Sequence, residues 1–179
     1  MSEFNLHIRL ANVEDIELIL SFISQKAEFD RCLNALETNA LEATTDKLKQ
    51  TLFCNPPLAH LLFAEVEGIA VGFALFFYTY SSFLAQPNIW LGDLFVQPQM
   101  RGRGIGTALL THLAQIAQEK NCGRLEWTVA TNNARGITFY RKLGAQILEN
   151  TRLCRVDRAS ITKLADKQLE IISTRKDEG

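Results

Sequence analysis

Apolar and polar residues alternate along several stretches of the chain, and this period of two predicts β-strands. The pattern is clear near the start, where polar residues separate Leu6, Ile8 and Leu10. The stretch 89–96 differs because it is nearly all apolar, which predicts a strand buried on both faces. The predicted strands are residues 6–10, 60–66, 69–80, 89–96, 125–129, 146–148 and 152–156.

Helices are predicted where apolar residues recur every three or four positions and where a capping residue precedes them. Asn12 offers a cap for a helix that runs through about Lys26, and Asn133 offers one for a helix over residues 134–143. Further helices are predicted over residues 29–41, 44–53, 107–120 and 161–169. The order of these elements implies an α/β fold with a mixed, mostly antiparallel central sheet flanked by helices.

Composition narrows the class of protein. The 179 residues are 47% hydrophobic and 22% charged, which fits one soluble globular domain; we expect it over residues 1–172, followed by a disordered tail at 173–179. The formal net charge of −1 argues against general attraction to nucleic acid or to an anionic membrane. No apolar run is long enough for a membrane span, and the scattered cysteines lack the spacing of a zinc or disulfide framework. We therefore expect a cytoplasmic location and no metal.

The strongest chemical signal is a turn rich in glycine and arginine, between the strand at 89–96 and the helix that follows. From Arg101 to Thr107 it has the sequence Arg-Gly-Arg-Gly-Ile-Gly-Thr. Glycines let bare backbone approach a ligand, and the start of a helix offers free N–H groups to a phosphate or pyrophosphate. Arg101 and Arg103 add mobile positive charge. The alternative interpretation is a glycine turn that binds no ligand.

Three phosphate-binding motifs compete for this turn. A Walker loop needs Gly-Lys-Ser/Thr, and here Gly106 is followed by Thr107 with no lysine between them. A Rossmann fingerprint needs G-x-G-x-x-G, whereas these glycines stand at 102, 104 and 106. The R/Q-x-x-G-x-G/A loop of the GNAT superfamily is matched in full by Arg101, Gly104 and Gly106.

Residues 90–164 resemble the spermidine/spermine acetyltransferase branch of the GNAT superfamily, which includes thialysine and plant ornithine acetyltransferases. The resemblance rests on the glycine turn and on three further segments: Leu-Gly-Asp-Leu-Phe-Val at 91–96, Arg-Leu-Glu-Trp at 124–127, and Asn-Ala-Arg-Gly-Ile-Thr-Phe-Tyr-Arg-Lys-Leu-Gly-Ala at 133–145. It implies the GNAT fold, acetyl transfer from acetyl-CoA to a primary amine of a polyamine, diamine or diamino acid, and a homodimer that exchanges C-terminal elements. Members of this branch usually carry a glutamate where this chain has Gly92.

The resemblance also implies a site for acetyl-CoA. Backbone groups of residues 94–96 would pair with the pantetheine, amides of residues 102–107 would hold the pyrophosphate, and residues 133–136 would line the opposite side. The predicted cofactor-binding residues are Leu94, Phe95, Val96, Arg101, Gly102, Arg103, Gly104, Ile105, Gly106, Thr107, Asn133, Ala134, Arg135, Gly136 and Tyr140. The predicted substrate-binding residues are Glu28, Asp93, Glu126 and Thr128.

Tyr140 and Asp93 are the candidates for catalysis. A phenol, with a pKa of about 10, is protonated at neutral pH, so Tyr140 can donate a proton to the departing thiolate. Asn133, Gly136 and Tyr140 are spaced to share one helical face. Asp93 lies in an apolar strand, where a charge is costly, so it has either a partner or a task such as relaying the proton of the amine. The simpler alternatives are a core tyrosine and a structural hydrogen bond.

Some alternatives stay open at the level of sequence. Glu28 and Glu126 also fit solvated faces of a helix and a strand. We predict direct transfer, in which the amine attacks the thioester, because no cysteine stands where a covalent carrier is expected. A peptide or protein N-acetyltransferase is one rival function, and an acyl-CoA-binding sensor without turnover is another.

Overall fold

The computed structural model describes residues 5–33 and 41–174. The described residues form a five-stranded sheet whose strands lie side by side in chain order. Its strands are β1 (Leu6–Leu10), β2 (His60–Val66), β3 (Ile69–Ser81), β4 (Gln86–Val96) and β5 (Leu125–Glu126). The first four are antiparallel neighbours and β5 runs parallel to β4, so the predicted mixed, mostly antiparallel sheet is confirmed.

Two hydrophobic clusters pack against the sheet. The helices are α1 (Ile16–Cys32), α2 (Thr45–Leu52), α3 (Ile105–Glu119), α4 (Ala134–Lys142) and α5 (Arg158–Thr174). One cluster contains Ile105, Leu109 and Leu113 of α3, and the other contains Ile19 and Phe22 of α1 together with residues of α2. The sheet therefore has α3 on one face and α1 with α2 on the other, as predicted for a sheet flanked by helices.

A charged network fixes the start of the helical layer to the sheet. Arg9 donates through Nη1 and Nη2 to the Asp15 carboxylate at 2.7 and 2.9 Å, and through Nε to Glu65 at 2.7 Å. The predicted cap is present, since Asn12 Oδ1 accepts from the N–H of Glu14 at 2.8 Å and Asp15 accepts from the N–H of Asn12 at 2.8 Å. The hydrogen bond from Arg9 is the main reason why the pKa of Asp15 lies below its ordinary value.

One helix, α1, takes the place of two predicted ones. The predicted break after Lys26 is wrong, because residues 27–28 contain no helix breaker and Phe22, Lys26 and Phe29 continue one helical register. The predicted second helix also fails at its far end, since α1 ends at Cys32. The remainder of that prediction, residues 34–40, lies outside the described residues.

A bulge in β4 changes which side chains face each side of the sheet. The register with β3 shifts so that Gly92 is an extra residue between Leu91 and Asp93. Before the bulge, Leu91 belongs to the cluster around α3; after it, Leu94 packs against that cluster while Phe95 joins the cluster around α1 and α2. The prediction of a strand buried on both faces is wrong at Gly92, which is exposed.

β5 is shorter than the predicted strand at 125–129. Its pairing with β4 consists of Ile89 with Leu125 and Trp90 with Glu126. It ends immediately before the bulge, which bends β4 and interrupts regular pairing. Beyond Glu126, no described residue continues this pairing with β4.

Contacts divide the chain into two units, Met1–Leu143 and Gly144–Gly179. The strands predicted at 146–148 and 152–156 are wrong, because the described residues there form no strand and their apolar side chains Leu148 and Leu153 are exposed. Apolar and polar residues alternate in these two segments, but the described residues offer them no partner strand. Residues 173–174, predicted as part of a disordered tail, belong to α5, while 175–179 lie outside the described residues. The prediction of one domain over 1–172 stays a prediction.

Candidate active site

A pocket of about 730 Å³ lies between the end of β4 and the first turns of α3 and α4. With the exception of Arg103, which is exposed, every residue predicted to bind the cofactor lines this pocket. The pocket therefore gathers three separate sequence segments around one space. It lies within the first unit of the chain.

The edge of β4 forms one wall of the pocket. β5 pairs with this edge only as far as Trp90. Over residues 91–96 no strand of the described chain pairs with the same edge, and Leu94, Phe95 and Val96 line the pocket there. Backbone N–H and C=O groups at such an edge can pair with another extended chain.

The start of α3 forms a second wall. Gly104 is the N-cap residue and has a φ of 84°, in the left-handed region that favours glycine. The first intrahelical bond runs from the N–H of Ala108 to the carbonyl of Gly104 at 2.9 Å. The amides before Ala108 therefore have no partner within the helix, and together with the helix dipole they favour an anion.

The start of α4 forms the opposite wall. Asn133 is its cap, and Asn133 Oδ1 accepts from the N–H of Gly136 at 2.9 Å, as the sequence predicted. A Cβ atom at position 136 would stand 2.6 Å from Asn133 Nδ2, so the cap requires a glycine at this position. Two helix N-termini thus face one pocket.

Tyr140 lies one turn further along α4 and lines the same pocket. Its ring centroid is 5.0 Å from that of Trp127 and 5.2 Å from that of Phe139. Burial raises the pKa of Tyr140 to about 12, so the hydroxyl stays protonated throughout the neutral range. It can donate a proton there, and ionisation does not remove that proton at working pH.

Cationic side chains line the pocket as well. Arg135 and Lys142 are exposed, and neither forms an ion pair within residues 5–33 and 41–174. Arg101 differs, because its Nε donates to the carbonyl of Val96 at 2.8 Å. Burial and, to a lesser degree, the charge of Arg135 lower the pKa of Arg101 from its ordinary value.

Asp93 has a partner that the sequence did not reveal. Lys26 Nζ of α1 lies 3.2 Å from Asp93 Oδ1, and the same ammonium is paired with Asp30. The Lys26 and Asp30 side chains are 17% and 18% exposed, whereas Asp93 is 33% exposed. The cluster carries two carboxylates and one ammonium, and its Asp93 end is the one open to solvent.

None of the four predicted substrate residues, Glu28, Asp93, Glu126 and Thr128, lines the pocket. Glu126 lies beside β4, with Asn88 Nδ2 3.5 Å from Glu126 Oε2 and Arg124 Nη1 3.8 Å from Glu126 Oε1. Glu28 and Thr128 are exposed. Asp93 differs from these three because it directly precedes Leu94, which lines the pocket.

Several pocket residues were not predicted. They are Phe29, Met100, Thr138, Phe139 and Lys142. Phe139 could have been found from its position three residues after Gly136 on α4, and the pair of Lys26 with Asp30 from its i, i+4 spacing. Phe29 gives no such signal, because it comes from the opposite layer of the fold.

Among the described residues, no group of three or more His, Cys, Asp or Glu side chains is placed to hold a metal ion. The four cysteines, Cys32, Cys54, Cys122 and Cys154, are free thiols, and none of them lines the pocket. In the same part of the chain, no helix is long and apolar enough to cross a membrane.

Comparison with known proteins identifies relatives over most of the chain. The model of the acetyltransferase (GNAT) family matches residues 27–145. A thialysine N-epsilon-acetyltransferase of Bos taurus is 31% identical, over 89% of this chain and 97% of its own. An L-ornithine N5-acetyltransferase of Arabidopsis thaliana is 41% identical, over 83% of each chain. Among solved structures, an integron cassette protein of V. cholerae superimposes with a TM-score of 0.72 and 25% identity, over 89% of this chain and 97% of its own.

Proposed function

The chain belongs to the acetyltransferase (GNAT) family and is an acetyl-CoA-dependent N-acetyltransferase, and from this premise we propose that it acetylates a primary amine of a small molecule. The proposed acceptors are polyamines, diamines and diamino acids. The observation that carries the proposal is the pocket that joins an open strand edge, two helix N-termini and the Tyr140 hydroxyl.

The chemistry of the pocket fits acetyl-CoA, which supplies the acetyl group as a thioester. We propose that the free amides at the start of α3, including those of Gly104 and Gly106, bind the pyrophosphate. Backbone groups of Leu94 to Val96 would pair with the pantetheine as an added strand does. Arg135 and Lys142 lie free at the same pocket and add positive charge for phosphate groups.

Tyr140 is the proposed proton donor to the thiolate that leaves. Its raised pKa keeps the hydroxyl protonated at neutral pH, so that the proton is available when the thiolate leaves. We propose direct attack by the amine, because no cysteine of the described chain lines the pocket to carry an acetyl group.

The acceptor would approach from the side of Asp93. A free alkyl amine has a pKa of about 10.4, so nearly all of it is cationic at neutral pH and has to lose a proton before it reacts. The Asp93 carboxylate is the solvent-open end of its cluster, and we propose that it attracts the ammonium and relays the proton. Glu28, Glu126 and Thr128 stay proposals as more distant contacts for a long acceptor.

The names of two relatives support the class of acceptor. Thialysine and L-ornithine, after which the Bos taurus and Arabidopsis thaliana enzymes are named, are both diamino acids. A cationic acceptor also suits a site with two carboxylates against one ammonium. We further propose that the protein works as a cytoplasmic homodimer, which sedimentation and fractionation would test.

A thiol-release assay tests the proposal. Purified protein with acetyl-CoA would be given spermidine, putrescine, ornithine, lysine and a peptide with a free N-terminus, one at a time. We expect release with at least one of the four small amines and little with the peptide. Release with the peptide alone would mean that the acceptor is a peptide or protein and not a small amine. Binding of CoA without release for any amine would leave a sensor as the better account.

A further inference from the structure

We infer that Phe29, at the far end of α1, is a positioning residue for the coenzyme, and that it acts through Arg101. On this view Arg101 is a brace that holds the glycine turn against the end of β4, and its guanidinium is not a phosphate ligand. The inference rests on the proposed function, because it assigns a role within the same pocket. It concerns a residue outside the segments that carry the GNAT resemblance.

The guanidinium of Arg101 lies against two aromatic rings. Arg101 Cζ lies 4.5 Å from the centroid of the Phe29 ring and 5.6 Å from that of Phe95. Both distances are within the range of cation–π attraction. The two rings are also in contact with each other, at a centroid distance of 6.3 Å and an interplanar angle of 62°. Phe29 is thus the nearest aromatic platform for the charge of Arg101.

The Arg101 side chain also forms a hydrogen bond to the end of β4. Its Nε donates to the carbonyl of Val96 at 2.8 Å, while its backbone N–H donates to Pro98 at 3.3 Å. The side chain therefore connects the last residue of β4 with the point where the glycine turn begins. A turn fixed in this way loses less conformational entropy when it closes on a ligand.

Arg101 differs from the other cations at the pocket in its burial and its contacts. Arg135 and Lys142 are exposed, whereas burial lowers the pKa of Arg101 and its side chain is already engaged. An arginine that is stacked on rings and bonded to backbone is held in one geometry. The mobile cations at this pocket are the other two.

The last turn of α1 also contacts the opposite wall. Asn132 Nδ2, next to the cap of α4, donates to the carbonyl of Leu33. The helix end thus contacts the turn before α3 through Phe29 and the turn before α4 through Leu33.

The experiment compares Phe29→Leu, Phe29→Tyr and Phe53→Leu. Phe53 packs against the same hydrophobic cluster as Phe29 but does not line the pocket, so it controls for loss of core packing. The measurements are the Kd for CoA by calorimetry, KM for acetyl-CoA, kcat at saturating acetyl-CoA, and Tm. Phe29→Leu is expected to raise Kd and KM about three- to thirty-fold, the range of a cation–π contact, with kcat within about twofold. Phe29→Tyr keeps the ring and should therefore have the Kd of the wild type. Phe53→Leu should lower Tm without changing Kd.

A double-mutant cycle with Arg101→Met completes the test. If Phe29 acts through Arg101, adding Phe29→Leu to Arg101→Met costs little more than Arg101→Met alone. Full additivity would overturn the inference, because Phe29 would then affect the ligand independently of Arg101. Equal CoA binding by wild type and Phe29→Leu, or equal loss in Phe53→Leu, would also overturn it and leave the proposed function intact. A wild-type protein that ignores CoA would overturn both.

Discussion

The two sides of the proposed active site are built on different principles. The proposed cofactor side consists mainly of backbone: an open strand edge and the first turns of α3 and α4, with Gly104 in the left-handed region and Gly136 close against the Asn133 cap. The proposed acceptor side consists of side chains from distant elements, such as Lys26 of α1 against Asp93 of β4. The backbone geometry can be predicted from the spacing of glycines in the sequence. A pair of charges from two distant elements cannot be predicted in this way, because only the fold brings the two residues together.

This difference has a consequence for specificity. A site made of amides accepts any ligand with the same diphosphate and cannot be retuned by one side chain. A site made of three charges changes its net charge whenever a substitution removes one of them. We therefore expect substitutions on the cofactor side to change binding of the coenzyme for all acceptors, and substitutions on the acceptor side to change the choice of amine.

The largest effect is expected for Tyr140→Phe, which removes the proton donor but keeps the ring. Turnover should fall by about 10² to 10⁴, the usual contribution of general acid catalysis, with Kd for CoA within about twofold. Because burial raises the pKa of Tyr140 to about 12, ionisation of this group should not limit the rate at any pH up to about 10. Steady-state kinetics over pH 6–10 would check both points. Unchanged turnover would remove Tyr140 from the mechanism.

A smaller effect is expected for Gly136→Ala on the cofactor side. The new Cβ would displace the Asn133 cap. Loss of a cap costs about 1 kcal/mol, so the affinity for CoA should fall about fivefold for every acceptor. Asn133→Ala is the matched variant, and the double variant should be no worse than either single one. A CoA affinity that is unchanged in all three would show that the cap does not position this wall.

On the acceptor side, Lys26→Met should act on the amine alone. Without the ammonium, Asp93 and Asp30 present their full charge to a cationic acceptor, so its KM should fall several-fold while Kd for CoA stays the same. Lys26→Arg keeps the charge and serves as control. Kinetics with the best amine of the panel would measure the effect. An equal change for Lys26→Arg would mean that charge is not the cause.

The smallest effect on activity is expected away from both sides, for Asp15→Asn. The depressed pKa of Asp15 adds stability at neutral pH, and that stability is lost as pH falls from the ordinary carboxyl range towards the lowered pKa. The variant should therefore be less stable than wild type at pH 7, by about 1 kcal/mol, and the two should converge below about pH 4. Urea unfolding at several pH values would measure this. A difference that is constant with pH would exclude the Arg9–Asp15 pair as its source.

The fold was predictable wherever local signals were complete. The strands at 60–66 and 69–80 and the helix caps at Asn12 and Asn133 follow from residues that lie next to each other. The break proposed after Lys26 had no physical basis in a breaker residue. The strands proposed after Gly144 had alternation without a partner strand, and alternation reports an amphipathic segment rather than a sheet.

The candidate site was predictable to the extent that it is made of backbone. The glycine turn lines the pocket as its spacing indicated and the start of α4 lines it as the family resemblance implied, and Arg103 is the one predicted cofactor residue that does not line it. Phe29 and the Lys26 partner of Asp93 were missed because both depend on how α1 packs across the sheet. No spacing along the chain records that packing.

The extra residue in β4 works as a frame shift for side chains. If Gly92 instead paired with Leu75 as in a regular strand, Leu94 and Phe95 would exchange the layers that they serve. Asp93 would turn away from Lys26, and Phe95 would leave the neighbourhood of Arg101. Both halves of the proposed site therefore depend on this one irregularity in β4, because it sets the faces of Asp93 and Phe95 at once.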